Sequence, residues 1–216
     1  MGKYAIMSDR KVIQLIRNYI FDFGNVLARF DPDALTAPYA PDSQERRMIQ
    51  EVVFDRLYWD PLDSGKITDE QVREGIRSRL PADLAEKGCQ AYDHWIENLT
   101  PIAGMQELAA EIKAQGGHLF LLSDISIGFA EGYQVNPWVK ELFSMFDGLV
   151  CSGPIGMTKP HKETFQYLLE HFGLNAGECV FIDDRQVNAD GAREAGIRAI
   201  VFNGDAEALR HQLQNF

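Results

Sequence analysis

YIFDFGNVL (residues 19–27) decides the fold. Three apolar residues run into Asp22, and after Phe23 come a glycine and an asparagine. A short continuous apolar run closed by turn residues is the pattern of a buried strand. Asp22 then stands where the strand stops, at the rim of a sheet. A carboxylate there can attack phosphorus or hold a metal. An Asp in an ordinary turn reads the same way taken alone.

The same pattern recurs down the chain. His118–Ser123, Gly148–Cys151, Cys179–Asp183 and Arg198–Phe202 are apolar runs of strand length, and Tyr19–Phe23 is the first of the set. Helical patterns fall between the later ones. Pro101–Gln115 is expected to be a helix stopped by Gly116 and Gly117. Phe165, Leu168, Leu169 and Phe172 share one helix face ahead of Gly173. Val187–Ala195 is a further short helix, and Ala206, Leu209 and Leu213 stripe the last one. Strand–helix alternation with unbroken apolar strands predicts an α/β fold: a mostly parallel sheet with helices on both faces.

Residues 32–99 break this rhythm. They offer helix signals and no convincing strand. Asp42 or Ser43 can cap a helix carrying Met48, Val52 and Val53. Thr68 with Gln71 makes a capping box ahead of Val72, Ile76 and Leu80, and a last helix is expected over Ala82–Leu99. The expected division is therefore an α/β core domain of residues 1–31 and 100–216 with an inserted helical domain at 32–99. Residues 8–17 read either as a short amphipathic helix or as a disordered extension.

Three further strand ends carry chemistry, and ligands of open parallel sheets bind at those ends. HLFLLS ends in Ser123 and Asp124, where a hydroxyl can donate to a phosphoryl oxygen. GMTKP places Lys159 just before a helix, where it can neutralise a carboxylate and a phosphate together. CVFIDD ends in Asp183 and Asp184. Adjacent carboxylates at the end of an apolar strand repel each other unless a cation lies between them. Mg²⁺ suits them, because it prefers oxygen ligands and keeps several waters. Singly, the serine can be a strand terminator and the lysine a surface residue.

Composition narrows the class. The net charge of -11 argues against a nucleic-acid or anionic-membrane surface. Cys89, Cys151 and Cys179 form no CxxC pair, so neither a zinc site nor a disulfide framework is expected. The chain has no apolar run of membrane-spanning length and no signal-peptide pattern, which points to a cytoplasmic protein.

The ordered series Asp22, Ser123, Lys159, Asp183-Asp184 resembles the four motifs of the haloacid-dehalogenase-like (HAD) hydrolase superfamily, a Rossmann-like fold. The resemblance runs from about Tyr19 to Phe202, and the helical insert looks like a C1-type cap. FDFGNVL, GMTKP and VFIDD with Asn188 and GAREAGI look most like the glucose-1-phosphatase-like branch of subfamily IA. The resemblance implies a Mg²⁺-dependent phosphatase acting on a small phosphorylated metabolite, with sugar phosphates first. It implies Asp22 as nucleophile and metal ligand, the carbonyl of Gly24 and the carboxylate of Asp184 as metal ligands, and Asp183 reaching the metal through water. Ser123 and the backbone amide of Asp124 would bind phosphate, and Lys159 would bridge it to Asp22.

Two positions depart from the pattern. Many members carry a second Asp where this chain has Gly24; it protonates the leaving oxygen and then activates water. Asn is usual where Asp124 stands. These departures keep open a weakly active or regulatory sugar-phosphate-binding protein. A phosphomutase needs the acid missing at Gly24, and a dehalogenase usually lacks the acidic pair. For specificity, Arg29, Asp31, Tyr58 and Trp59 are the candidates, with packing as the alternative for both aromatics.

Overall fold

The computed structural model describes residues 15–214. Most of the possible helix at 8–17 lies outside them. Seven strands occur among the described residues: β1 Asn18–Phe21, β2 Ala28–Arg29, β3 Thr100–Pro101, β4 His118–Ser123, β5 Gly148–Cys151, β6 Cys179–Asp183 and β7 Arg198–Val201. Five form one parallel sheet, as the apolar runs predict, and its strand order is β5-β4-β1-β6-β7. β1 is central, with β4 on one side and β6 on the other. The strands that end in Ser123 and Asp183 are thus the two neighbours of the strand that feeds Asp22, and all three finish at one sheet edge.

Alternation along the strands loads both faces. Ile20, Phe120 and Phe181 point into one apolar cluster, and Phe21, Leu121 and Ile182 into the other. Each fully buried side chain of this size contributes about 1.5–3 kcal/mol. The helices α10 Lys162–Phe172 and α11 Gln186–Glu194 cover the first face through Phe165, Leu168, Ala189 and Ala192. The second is covered by α6 Met105–Ala114, α7 Ile127–Gly132, α8 Pro137–Phe143 and α12 Ala206–Leu213. The short α9, Ser152–Ile155, follows β5. All three cysteines are free and buried.

Between β2 and β3 lie α1 Pro32–Thr36, α2 Ser43–Val53, α3 Arg56–Asp63, α4 Asp69–Arg79 and α5 Ala82–Asp93. Asp42 caps α2, accepting from the backbone N–H of Gln44 and Glu45, and the Thr68–Gln71 capping box is present. Ile49, Val53, Leu62, Val72, Ile76 and Leu84 give these helices an apolar cluster of their own. Some boundaries move. The last helix of the insert stops at Asp93 rather than Leu99, with a turn from His94 onward, and the helix expected from Pro101 begins at Met105. Pro101 instead pairs with Ala28, closing both ends of the insert in a two-residue antiparallel ribbon. No helix among the described residues is long and apolar enough to cross a membrane.

Candidate active site

Asp22 follows β1 directly. Its backbone N–H donates to the Ile182 carbonyl at 2.9 Å, the last rung before the chain leaves the sheet. The chain then folds back: the N–H groups of Leu27 and Ala28 both donate to the Phe23 carbonyl, and Asn25 sits at φ 57°. Asn tolerates this left-handed conformation better than most residues. The turn holds the Asp22 side chain over the sheet edge, where its Oδ1 accepts from the Phe23 N–H at 2.7 Å.

Lys159 reaches the same point from the loop between α9 and α10. Its Nζ lies 2.8 Å from Asp22 Oδ1 and 2.8 Å from Asp183 Oδ2, with all three side chains buried. Buried charges of this kind persist only when paired and hydrogen-bonded. Burial alone would lower the lysine's affinity for its proton, but Asp22, Asp183 and Asp124 outweigh it and hold the ammonium well above its usual range. Burial pushes the Asp22 carboxyl up to about 7; Lys159 opposes that rise and Asp183 adds to it.

Asp183 is fully buried and well satisfied. Both its oxygens accept from Asn188 Nδ2 at 3.0 Å, and Oδ1 also accepts from the Arg185 N–H at 2.8 Å. Asp184 turns to the cleft, its carboxyl raised by burial and by Asp183. One oxygen from each of Asp22, Asp183 and Asp184 falls within a 4.8 Å cluster. The Asn188 Oδ1 beside it is buried without a hydrogen-bond partner. Three hard oxygen donors, faced by one buried lysine, fit a divalent cation of the Mg²⁺ type.

Ser123 ends β4 and lines the cleft beside Asp22. Asp124 lines the cleft too, and its Oδ1 accepts from the backbone N–H of Lys159 at 2.9 Å. It ties down the loop that delivers the lysine. On the other side of that loop, a Cβ at Gly191 of α11 would collide with the Pro160 carbonyl. Glycine in GAREAGI therefore lets α11 press against Lys159-Pro160. Gly24 lines the cleft, with open space where a Cβ would project.

The cleft above these groups has a volume of about 370 Å³. The insert supplies much of its upper wall, including Arg56, Trp59, Asp60 and Asp63 of α3. Of the four specificity candidates, only Trp59 lines it. Its ring packs among Phe30, Phe54 and Trp95, and its Nε1 donates to the Val53 carbonyl at 2.6 Å. Tyr58 faces inward over Gly75 and Arg79. Asp31 caps α1. Arg29 is exposed and borders a separate depression with Asp184 and Asn203. The sequence reading missed Arg56, Asp60 and Asp63, which look like ordinary surface residues set among Leu57, Tyr58, Trp59 and Leu62.

Known proteins resemble this chain in sequence and in fold. A family profile for haloacid dehalogenase-like hydrolases matches residues 16–196. The sesquiterpene phosphatase astK of Aspergillus oryzae is 25% identical over 178 residues, covering 82% of this chain and 85% of its own length. D-ribitol-5-phosphate phosphatase of Bacteroides thetaiotaomicron is 23% identical over 197 residues, covering 84% and 89%. The crystal structure of a HAD family enzyme from Bacteroides thetaiotaomicron, a mutant in complex with magnesium and inorganic phosphate, superposes with a TM-score of 0.68 at 20% identity, covering 90% of this chain and 98% of that one. That likeness shows a shared fold. With five parallel strands in place, Asp22, Lys159 and the acidic pair at one sheet edge, and a profile that spans those four residues, the chain belongs to the haloacid dehalogenase-like hydrolases.

Proposed function

We propose that this hydrolase is a cytoplasmic, Mg²⁺-dependent phosphatase that splits a small phosphomonoester through an aspartyl-phosphate on Asp22. The observation that carries the reading is the convergence of three carboxylates and Lys159 at the end of β1. A phosphate placed there meets Ser123 and Lys159 on its oxygens and the Asp22 carboxylate in front of phosphorus. Lys159 is already charged and buried, so its field acts without reorganisation. The Asp22 oxygen forms a bond to phosphorus as the bond to the leaving oxygen breaks. Water then attacks phosphorus, and Asp22 departs as carboxylate.

Mg²⁺ would neutralise charge on the phosphoryl oxygens. Asp22, Asp184 and the Gly24 carbonyl are its expected ligands. Asp183 already gives both oxygens to Lys159, Asn188 and the Arg185 N–H, which suits a role one water removed. The magnesium and phosphate in the related crystal structure, and the phosphatase activity named for two relatives, support this reading.

For the substrate we favour a sugar phosphate, as in the glucose-1-phosphatase-like branch of subfamily IA, with residues 32–99 acting as cap over the core. Trp59 offers an aromatic wall, and Arg56 and Asp60 offer polar contacts above the phosphate position. A phosphate-release screen over a panel of phosphomonoesters with Mg²⁺, run beside Asp22→Asn, tests the proposal. Release by the native chain and none by the variant is expected; equal release by both would refute it.

A further inference from the structure

Resting on the phosphatase reading, we propose that Asp63, on the helical insert, is the general acid and base that Gly24 leaves missing. In the first step the Asp63 carboxyl gives its proton to the leaving oxygen as the phosphorus–oxygen bond breaks and Asp22 takes the phosphoryl group. An alcohol departs, and Asp63 is left as a carboxylate. In the second step that carboxylate takes a proton from the water attacking phosphorus. Phosphate and free Asp22 result, and Asp63 is protonated again.

Three observations place it. Asp63 closes α3 and lines the same cleft as Asp22, Gly24, Ser123 and Asp124. Its Oδ1 is shielded from solvent and has no hydrogen-bond partner. A buried carboxylate oxygen without a donor is costly, whereas a neutral carboxyl is tolerated.

Third, Asp63 is held by the core rather than by the insert alone. Its backbone carbonyl accepts from Ser152 Oγ at 2.5 Å, and that same hydroxyl oxygen accepts from the Ile125 N–H at 2.8 Å. Two residues on, Gly65 lies so close to the Gly153 carbonyl that no Cβ would fit. Ile125, just after Ser123, and Ser152 and Gly153 of α9, on the way to Lys159, thus hold the backbone at Asp63 and Gly65. An acid must be held within hydrogen-bond reach of the leaving oxygen to act.

The electrostatic surroundings agree. Burial pushes the Asp63 carboxyl up to about 8, Asp124, Asp60 and Asp22 add to the rise, and Arg56 opposes it. Helix α9, against which α3 packs, brings no ionisable group. The proton is therefore present at neutral pH, near the value at which a general acid works best.

The test compares Asp63→Asn with the native chain on 4-nitrophenyl phosphate and benzyl phosphate. These are similar in size, but the second leaves as a far more basic oxygen. The ratio kcat/KM reports the steps up to departure of the leaving group. Asp63→Asn should lower it by ~10²–10³ on benzyl phosphate and by less than about threefold on 4-nitrophenyl phosphate. Retained cleavage of 4-nitrophenyl phosphate shows that the variant is folded. Adding Gly24→Asp to Asp63→Asn should restore at least about tenfold on benzyl phosphate. An equal fall on both esters, or no fall on either, overturns the assignment. A native chain that releases phosphate from neither ester, nor from any phosphomonoester of the wider panel with Mg²⁺, would instead overturn the phosphatase reading beneath it.

Discussion

Lys159 Nζ and Asp22 Oδ1 stand 2.8 Å apart in a buried ion pair at the end of β1. The same ammonium holds Asp183, so removing it strands two buried carboxylates at once. Lys159→Met should cost about 3–5 kcal/mol of stability in chelator at pH 8 and at least ~10³-fold in turnover. Urea denaturation and phosphate release measure the two effects. Lys159→Arg should rescue neither, because a planar guanidinium does not replace a compact ammonium between two oxygens. Near-native stability in Lys159→Met would contradict this account of the site.

Gly191→Ala tests how the lysine loop is held. The new methyl would meet the Pro160 carbonyl, a backbone atom that cannot rotate away. A loss of about 1–3 kcal/mol is expected, as for other overpacked positions. Turnover should fall with it, since the displaced loop carries Lys159. Gly116→Ala is not an equivalent control, because Gly116 has φ 85° and its substitution is strained for a different reason.

Stability should depend on pH in a direction fixed by Asp22 and Asp63. Their carboxyls are raised in the folded chain to about 7 and about 8, above the ordinary 3.8. Between those values the folded state holds protons that the unfolded chain has released. Their contribution is complete below the ordinary value and is lost as pH climbs through 7 and 8. Without metal, the melting temperature should fall over that range, by roughly 2–4 °C per kcal/mol for a chain of this size. Asp63→Asn should gain on the native protein between pH 5 and pH 8.5. A constant difference between the two melting curves would contradict the raised Asp63 carboxyl.

Mg²⁺ should bind the folded chain and stabilise it at neutral pH by about 2.7 kcal/mol at a hundredfold excess over Kd, read as a raised melting temperature. Asp184→Ala should remove most of that gain and the turnover with it, while chelator alone should abolish activity reversibly. Full activity in chelator would point away from metal-assisted phosphate chemistry.

The sheet was legible because each buried strand is a short apolar run. Asp22, Ser123 and Asp183 were legible because each polar residue stands where such a run stops. Their proximity needed the strand order, which places β1 between β4 and β6. The β2–β3 ribbon was not legible: two residues on each side make no periodic pattern. Asp63 was hidden for another reason. In the sequence it is a polar residue at a helix end, followed by Ser64 and Gly65, and nothing local distinguishes it from a solvated one. Its backbone carbonyl is held by Ser152, and the chain two residues on by Gly153, both about ninety residues away. Arg29 errs in the opposite direction, standing close to Asp22 in sequence but bordering a different depression.

Acid-quenched single turnover tests the central claim most directly. The native chain is mixed with Mg²⁺ and a phosphomonoester that it cleaves, quenched within one turnover, digested and examined by mass spectrometry. The peptide containing Asp22 should carry one phosphoryl group that is lost on treatment with hydroxylamine, and Asp22→Asn should carry none. A phosphoryl group on any other residue, or undiminished phosphate release by Asp22→Asn, would contradict the assignment of Asp22 as nucleophile.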